Sequence, residues 1–305
     1  MKSAMEHISD VIKGAVRLKA EPISTGFQFL DKAIGGYYPG SMTTICGAEN
    51  SGKSAFVISQ INHIAVNLHI PTLLVLSNMS KRIFLSCMAA YYCGIETNNI
   101  NTLLDKKEYQ NAIKDYFKLL KEAPLYVVNI ESRDGNFLNR LKELITSNGI
   151  QILFIDEIVP VYSEKHEVIL TSWKSLVMKL NIPMVATSCT WSWREGIDRV
   201  KPALCDLFQN DVRGEDVVIG LTNYEQFDIC CDERGQDLHD TIGVEILKQK
   251  GGNKKRKYLL PKKHLYLRNN TEKTQDEIRK SSGGKIDSLI DAFDLIIEDE
   301  IVNSN

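Results

Sequence analysis

The sequence predicts an α/β fold with a mostly parallel central sheet and helices on both faces. Three observations predict it. Short, near-continuously apolar runs recur along the chain. Helical stretches separate them. A glycine-rich loop joins the first such run to the helix that follows. Strands buried on both faces read as unbroken apolar segments, and a helix between successive strands is what a parallel connection requires.

The elements follow in order. Residues 3–18 predict a helix, because Met5, Ile8, Ile12 and Ala15 repeat at near-helical spacing; Pro22 then breaks the chain. Residues 42–46 predict a strand, followed by the glycine loop and a helix to about Asn67. Further strands are expected at 72–77, 125–129, 151–155, 183–188, 217–222 and 243–248, with a last one at 264–268. Helices are expected at 81–92, 106–122, 136–147 and 168–180; the second of these is strongly amphipathic. Residues 269–285 are polar and carry Ser281-Ser282-Gly283-Gly284, a linker composition. In 286–301 the helical pattern returns. Ile286, Leu289, Ile290, Phe293 and Ile297 form one stripe, and Asp287, Asp291, Asp294 and Glu298 an acidic one beside it. The expected organisation is a docking helix in 1–20, an α/β core in 21–268, a linker in 269–285 and an acidic helical tail in 286–305.

The 305 residues are 43% hydrophobic and 25% charged, so the chain has enough apolar material to bury a large core. With 37 Lys+Arg against 39 Asp+Glu, any nucleic-acid site must be a local patch. No apolar run reaches the roughly 18 residues of a membrane span, and residues 1–10 lack a signal-peptide core. Seven cysteines without a Cys-x-x-Cys pair predict reduced, mostly buried thiols in a cytoplasmic protein, with no zinc site. The histidines show no paired ligand spacing.

The sharpest motif is Gly47-Ala48-Glu49-Asn50-Ser51-Gly52-Lys53-Ser54, which fits G-x-x-x-x-G-K-[ST]. Glycines let the backbone curl so that several N–H groups face one anion. Lys53 reaches the β- and γ-phosphates, the Ser54 hydroxyl ligates Mg²⁺, and the following helix presents its N-terminus. A nucleotide with Mg²⁺ is therefore the expected ligand. A metal-side carboxylate is expected at the end of another buried strand, and Ile152-Leu153-Phe154-Ile155-Asp156-Glu157 supplies Asp156.

These residues lead to a resemblance. Ile23-Ser24-Thr25-Gly26, Leu30-Asp31, Gly35-Gly36 and Pro39-Gly40, running into the phosphate loop, look like the opening of RecA-superfamily ATPases. Residues 74–95 with Ser77-Asn78-Met79-Ser80, the segment 181–188, and Ile246-Leu247-Lys248-Gln249-Lys250-Gly251 resemble, in order, the DnaB-like helicase C-terminal domain. The resemblance implies a RecA-like P-loop NTPase core. It also implies a homo-oligomer, usually a hexameric ring, with ATP as the nucleotide between neighbours and single-stranded DNA through the centre. The helix at 3–18 matches the family's linker helix. The family's separate N-terminal domain has no room here, so a stand-alone motor or partner-dependent ring is expected.

Three positions depart from the family pattern. Asn78 stands where the family has its catalytic glutamate; an amide orients water but cannot take its proton. Glu157, next to Asp156, is the substitute base, with Glu49 a weaker candidate. Cys189 occupies the sensor glutamine position. Lys250 stands at the arginine finger, keeping the charge without the planar fork, and Lys248 matches the companion lysine. Binding parts are kept, and hydrolysis or coupling parts are altered.

Trp191, Trp193, Arg194, Arg199 and Lys201 interleave aromatic and basic groups, a composition suited to single-stranded DNA. Residues 248–263 are rich in lysine and arginine around Gly251-Gly252, which predicts a β-hairpin with a charged tip. The stripe in 286–301 suits a protein partner or a neighbouring subunit. Two other functions fit the same residues. One is a nucleotide-gated assembly or loading factor that does not hydrolyse ATP. The other is a recombinase or KaiC-like ATPase of the same superfamily.

Overall fold

The computed structural model describes residues 21–77, 79–94, 107–129, 137–158, 166–190, 200–204, 207, 214–232, 234–250 and 256–265. In chain order the elements are α1 (Gln28–Ile34), β1 (Met42–Gly47), α2 (Lys53–Ile61), β2 (Thr72–Leu76), α3 (Lys81–Cys93), α4 (Lys107–Glu122), β3 (Leu125–Asn129), α5 (Phe137–Ser147), β4 (Ile152–Asp156), α6 (His166–Leu180), β5 (Met184–Cys189), β6 (Val217–Asn223), β7 (Thr241–Gln249) and β8 (Arg256–Pro261). One π-helical segment, Asn62–Asn67, extends α2.

The strands form one eight-stranded sheet in the order β3-β2-β4-β5-β1-β6-β7-β8. The first six are parallel; β7 and β8 return antiparallel beside β6. Alternation along each strand distributes the core between two faces. Leu74, Leu76, Ile152, Phe154 and Val185 pack with Phe56 and Ile58 of α2, Phe84 and Met88 of α3 and Tyr116 of α4. Leu73, Val75, Leu153, Ile155, Met184 and Ala186 pack on the other face with Leu141 and Ile145 of α5 and Trp173 and Val177 of α6. Helices thus cover both faces, as the apolar runs predict. Each fully buried Leu, Ile, Val or Phe side chain contributes about 1.5–3 kcal/mol.

The carboxyl ends of β1, β2, β4, β5 and β6 all open on one edge, because these strands are parallel. Chain from β1 leaves toward β2 on one side, while β5 is followed by β6 on the other side of β1. Open α/β sheets bind ligands outside the carboxyl ends at such a reversal.

Three expectations need correction. The strand expected at 264–268 does not begin at 264, and 266–268 lie outside the described residues. Lys262–Leu265 is a 3-10 turn, and the strand is β8. Tyr258 and Leu260 pair with Val244 and Ile242, and Leu260 is buried, so the ladder forms earlier than expected. Lys262 then turns away to bond Glu225 and the carbonyl of Asp240. The antiparallel β7–β8 pair is the expected hairpin, although its tip, 251–255, lies outside the described residues. Second, α1 was not expected in the segment after Pro22. Third, the described thiols are not mostly buried. Cys46 is buried, Cys87, Cys93 and Cys189 are intermediate, and Cys230 and Cys231 are exposed. The expected helices at 3–18 and 286–301 and the linker between 269 and 285 lie outside the described residues. Among the described residues no helix is long and apolar enough to cross a membrane.

Candidate functional site

Strand β1 is buried along its whole length, so its carboxyl end delivers the glycine loop directly onto the open edge of the sheet. Gly47 has no room for a side chain. An added Cβ would lie 2.4 Å from Ser51 Oγ and 2.7 Å from the Leu221 carbonyl oxygen. Asn50 (φ 57) and Gly52 (φ 92) take left-handed conformations that curl the loop back to the start of α2. The first amides of α2 have no intrahelical acceptors, and the helix dipole makes this end attractive to an anion.

Lys53 opens α2. Its Nζ donates to the carbonyl oxygens of Gly47 (3.0 Å) and Ala48 (2.8 Å), with Cys189 Sγ 4.0 Å away. The ammonium therefore sits inside the curl of the loop. Ser54 Oγ donates to Asp156 Oδ2 at 3.4 Å, and Thr187 Oγ1 donates to Asp156 Oδ1 at 2.9 Å. Burial pushes the Asp156 carboxyl above its ordinary range, opposed first by the Thr187 hydrogen bond. The charge of Glu157 pushes the same way as burial, and Lys53 and Ser54 oppose it. Burial also raises the Cys189 thiol, against the pull of Lys53.

Glu157 is held by its backbone. Its N–H donates to Ser77 Oγ at 3.0 Å, Ser77 Oγ donates to its carbonyl, and the Ser77 N–H donates to the Asp156 carbonyl at 2.9 Å. The end of β2 thus fixes the chain immediately after β4. The Glu157 carboxylate lies close enough to raise both Asp156 and Cys189. Asn78 lies outside the described residues.

A buried carboxylate and a neighbouring hydroxyl are hard oxygen donors, and a divalent cation there offsets the burial that disfavours the charge on Asp156. Lys53, the loop amides and the start of α2 suit a polyphosphate. Ser51 Oγ is buried without a partner and is a further polar atom in the loop. The residues present fit both groups.

Lys248 and Lys250 lie elsewhere. Strand β7 runs antiparallel to β6, so Ile242 is near the phosphate loop and Lys248 pairs with Val218 toward the far edge. From Ile242 to Lys250 the chain runs about 27 Å at ~3.4 Å per residue. Lys250 Nζ is 3.7 Å from Asp216 Oδ1, and Asp216 also takes Lys174 and the Met42 N–H. Neither lysine is near its own chain's loop. Lys201 is half-buried; Trp191, Trp193, Arg194 and Arg199 lie outside the described residues.

The sequence reading missed Thr187, Ser77 and Asn223. Thr187 left one signal, a hydroxyl completing an apolar strand. Ser77 and Asn223 left none, since their roles follow from the order of strands in the sheet.

Comparison with known proteins places this arrangement. Residues 22–266 match the family model of the DnaB-like helicase C-terminal domain. A curated relative, the replicative DNA helicase DnaB of Nostoc sp. (strain PCC 7120), is 21% identical over 65% of this chain, and the match spans only 24% of that protein. Among solved structures, the ATPase domain of G40P superposes with a TM-score of 0.70 at 16% identity, over 87% of this chain and 98% of that one. A DnaB-like replicative helicase, described with its interactions with primase, gives 0.66 at 16% identity over 85% and 64%. At these identities the solved structures establish the RecA-like fold, and the family match covers most of the sequence. The chain belongs to the DnaB-like helicase C-terminal domain family.

Proposed function

We propose that this chain is an ATP-dependent motor of the DnaB helicase type, working on single-stranded DNA as an oligomeric, hexameric ring. The observation that carries the reading is the meeting of Lys53, Ser54, Asp156 and Thr187 at the carboxyl ends of β1, β4 and β5.

In this reading residues 47–54 hold the phosphates of ATP, and Ser54 and Asp156 hold Mg²⁺. Bound Mg²⁺ supplies charge compensation to the phosphate oxygens. Lys53 exchanges the carbonyls of Gly47 and Ala48 for phosphate oxygens. Thr187 keeps Asp156 in place. Glu157 orients the attacking water and accepts its proton, taking over from the carboxylate that Asn78 lacks. Lys248 and Lys250 act on a neighbour's nucleotide. Their separation from their own loop supports that division, because only a second copy brings them to a phosphate. Trp191, Trp193, Arg194, Arg199 and Lys201 contact DNA. The core spans 21–268, with 1–20 and 286–305 as docking segments joined through 269–285.

A second reading is a nucleotide-gated assembly or loading factor that binds ATP without turning it over. The observation favouring it is Cys189 Sγ at 4.0 Å from Lys53, where a thiol is a weak donor to a γ-phosphate.

Turnover of ATP by the purified protein, with and without single-stranded DNA, separates the two. The motor reading expects DNA-stimulated turnover that falls to background in both Lys53→Ala and Glu157→Gln. Tight Mg·ATP binding with turnover no higher than that of Lys53→Ala selects the assembly factor.

A further inference from the structure

The geometry points to Asn223 as a positioning residue for the phosphate loop, setting how tightly a polyphosphate is held there. The inference rests on the nucleotide-binding reading above. When loop amides converge on an anion, their peptide units turn carbonyls outward, and each outward carbonyl needs a donor.

Three of the loop carbonyls meet this need with donors of the protein. Gly47 O accepts the Thr190 N–H at 3.0 Å, and Ala48 O accepts the Ser51 N–H at 3.3 Å. Both therefore keep a donor after Lys53 turns to a phosphate. Asn50 O accepts Asn223 Nδ2 at 3.3 Å. Asn50 is also the loop's left-handed non-glycine residue, a conformation that needs holding.

Asn223 is placed for this task by the sheet. It ends β6 and pairs with Ile242 of β7. Ile242 closes on Gly52, where an added Cβ would meet its Cδ1 at 3.4 Å. The cross-strand pair therefore holds the loop through Asn223 at Asn50, with Ile242 flanking Gly52. The corner behind it is pinned by Glu225, which takes the Asp240 N–H and Lys262. Asn223 Oδ1 is buried without a partner.

The test is calorimetric binding of Mg·ATP and of magnesium triphosphate to the wild type and to Lys53→Ala, Asn223→Ala and Asn223→Gln. Melting temperatures without ligand are measured alongside. Loss of one loop hydrogen bond weakens binding about tenfold. Asn223→Ala should lose that factor for ATP and for triphosphate alike, because the effect is on the loop and not on the nucleoside. Asn223→Gln, which keeps a carboxamide donor, should recover most of it, and ligand-free melting should be unchanged in both. The proposal is overturned if Asn223→Ala binds triphosphate like the wild type, if only ATP binding weakens, or if the loss merely tracks a lowered melting temperature. Wild type binding no tighter than Lys53→Ala would instead remove the nucleotide reading itself, and this proposal with it.

Discussion

Ser54 Oγ lies 3.4 Å from Asp156 Oδ2, so a hydroxyl at the start of α2 and a carboxylate at the end of β4 share one point across 102 residues of chain. Parallel strands make this possible, because β1 and β4 deliver their carboxyl ends to the same edge. The pair joins the phosphate loop to the metal-side acid without any local sequence contact between them.

Asp156→Asn separates the two things that carboxylate does. Burial disfavours its charge, so the neutral amide should leave the ligand-free protein at least as heat-stable as the wild type. The magnesium-dependent part of the rise in melting temperature given by ATP should disappear. Thermal melts with ATP plus magnesium, and with ATP plus a chelator, check both halves.

Thr187→Val removes a buried donor from Asp156 while nearly preserving shape. The carboxylate then loses its best hydrogen bond, and the expected cost is about 1–3 kcal/mol. Urea unfolding at neutral pH measures it. Mg·ATP binding should weaken in the same variant, since the acid is no longer aimed.

Glu225 gives the protein a predictable acid sensitivity. The Lys262 hydrogen bond, and then the Asp240 amide, hold its carboxyl below the ordinary range. A lowered folded value means stability present above the unfolded carboxylate range and lost as pH falls through the folded one. The side chain is 33% exposed, so solvent screening limits the contribution to below about 1 kcal/mol. The stability advantage of wild type over Glu225→Gln should hold at neutral pH and vanish on acidification. Urea unfolding of both proteins across a pH series reads this directly, and a constant difference would argue against it.

Lys250 tests the shared-site arrangement. Lys53→Ala and Lys250→Ala should each abolish turnover alone. Mixed one to one before assembly, they should recover roughly a quarter of wild-type turnover, because a head-to-tail interface pairs the intact loop of one subunit with the intact lysine of the next. No recovery in verified mixed oligomers would contradict the shared-site arrangement, and full turnover by Lys250→Ala would place Lys250 outside the site.

The fold was legible where the signal is local. Residues 152–155 and 184–186 are unbroken apolar runs, and their alternation between two helical layers follows from strand geometry. The phosphate loop was legible because its chemistry demands glycine, lysine and serine at fixed spacing. What escaped depended on tertiary placement. Helix α1 has seven residues and a Phe27 cap with no side-chain hydrogen bond, so it carried no start signal. Strand β8 hides its apolar Tyr258–Leu260 core between lysines, and only pairing with β7 makes it a strand. Thr187 and Asn223 reach the site through strand order, which no periodicity encodes. Lys250 was expected at a neighbour's phosphate; the antiparallel course of β7 sets it beside Asp216, away from its own loop.

The central claim is that residues 47–54 and Asp156 form one Mg·ATP site. Equilibrium binding of ATP to the wild type, Lys53→Ala and Asp156→Asn, each with and without Mg²⁺, tests it most directly. The account predicts tight, magnesium-dependent binding in the wild type, loss of affinity in Lys53→Ala, and loss of the magnesium dependence in Asp156→Asn. Equal affinity in all three proteins, or binding in the wild type that ignores magnesium, would contradict it.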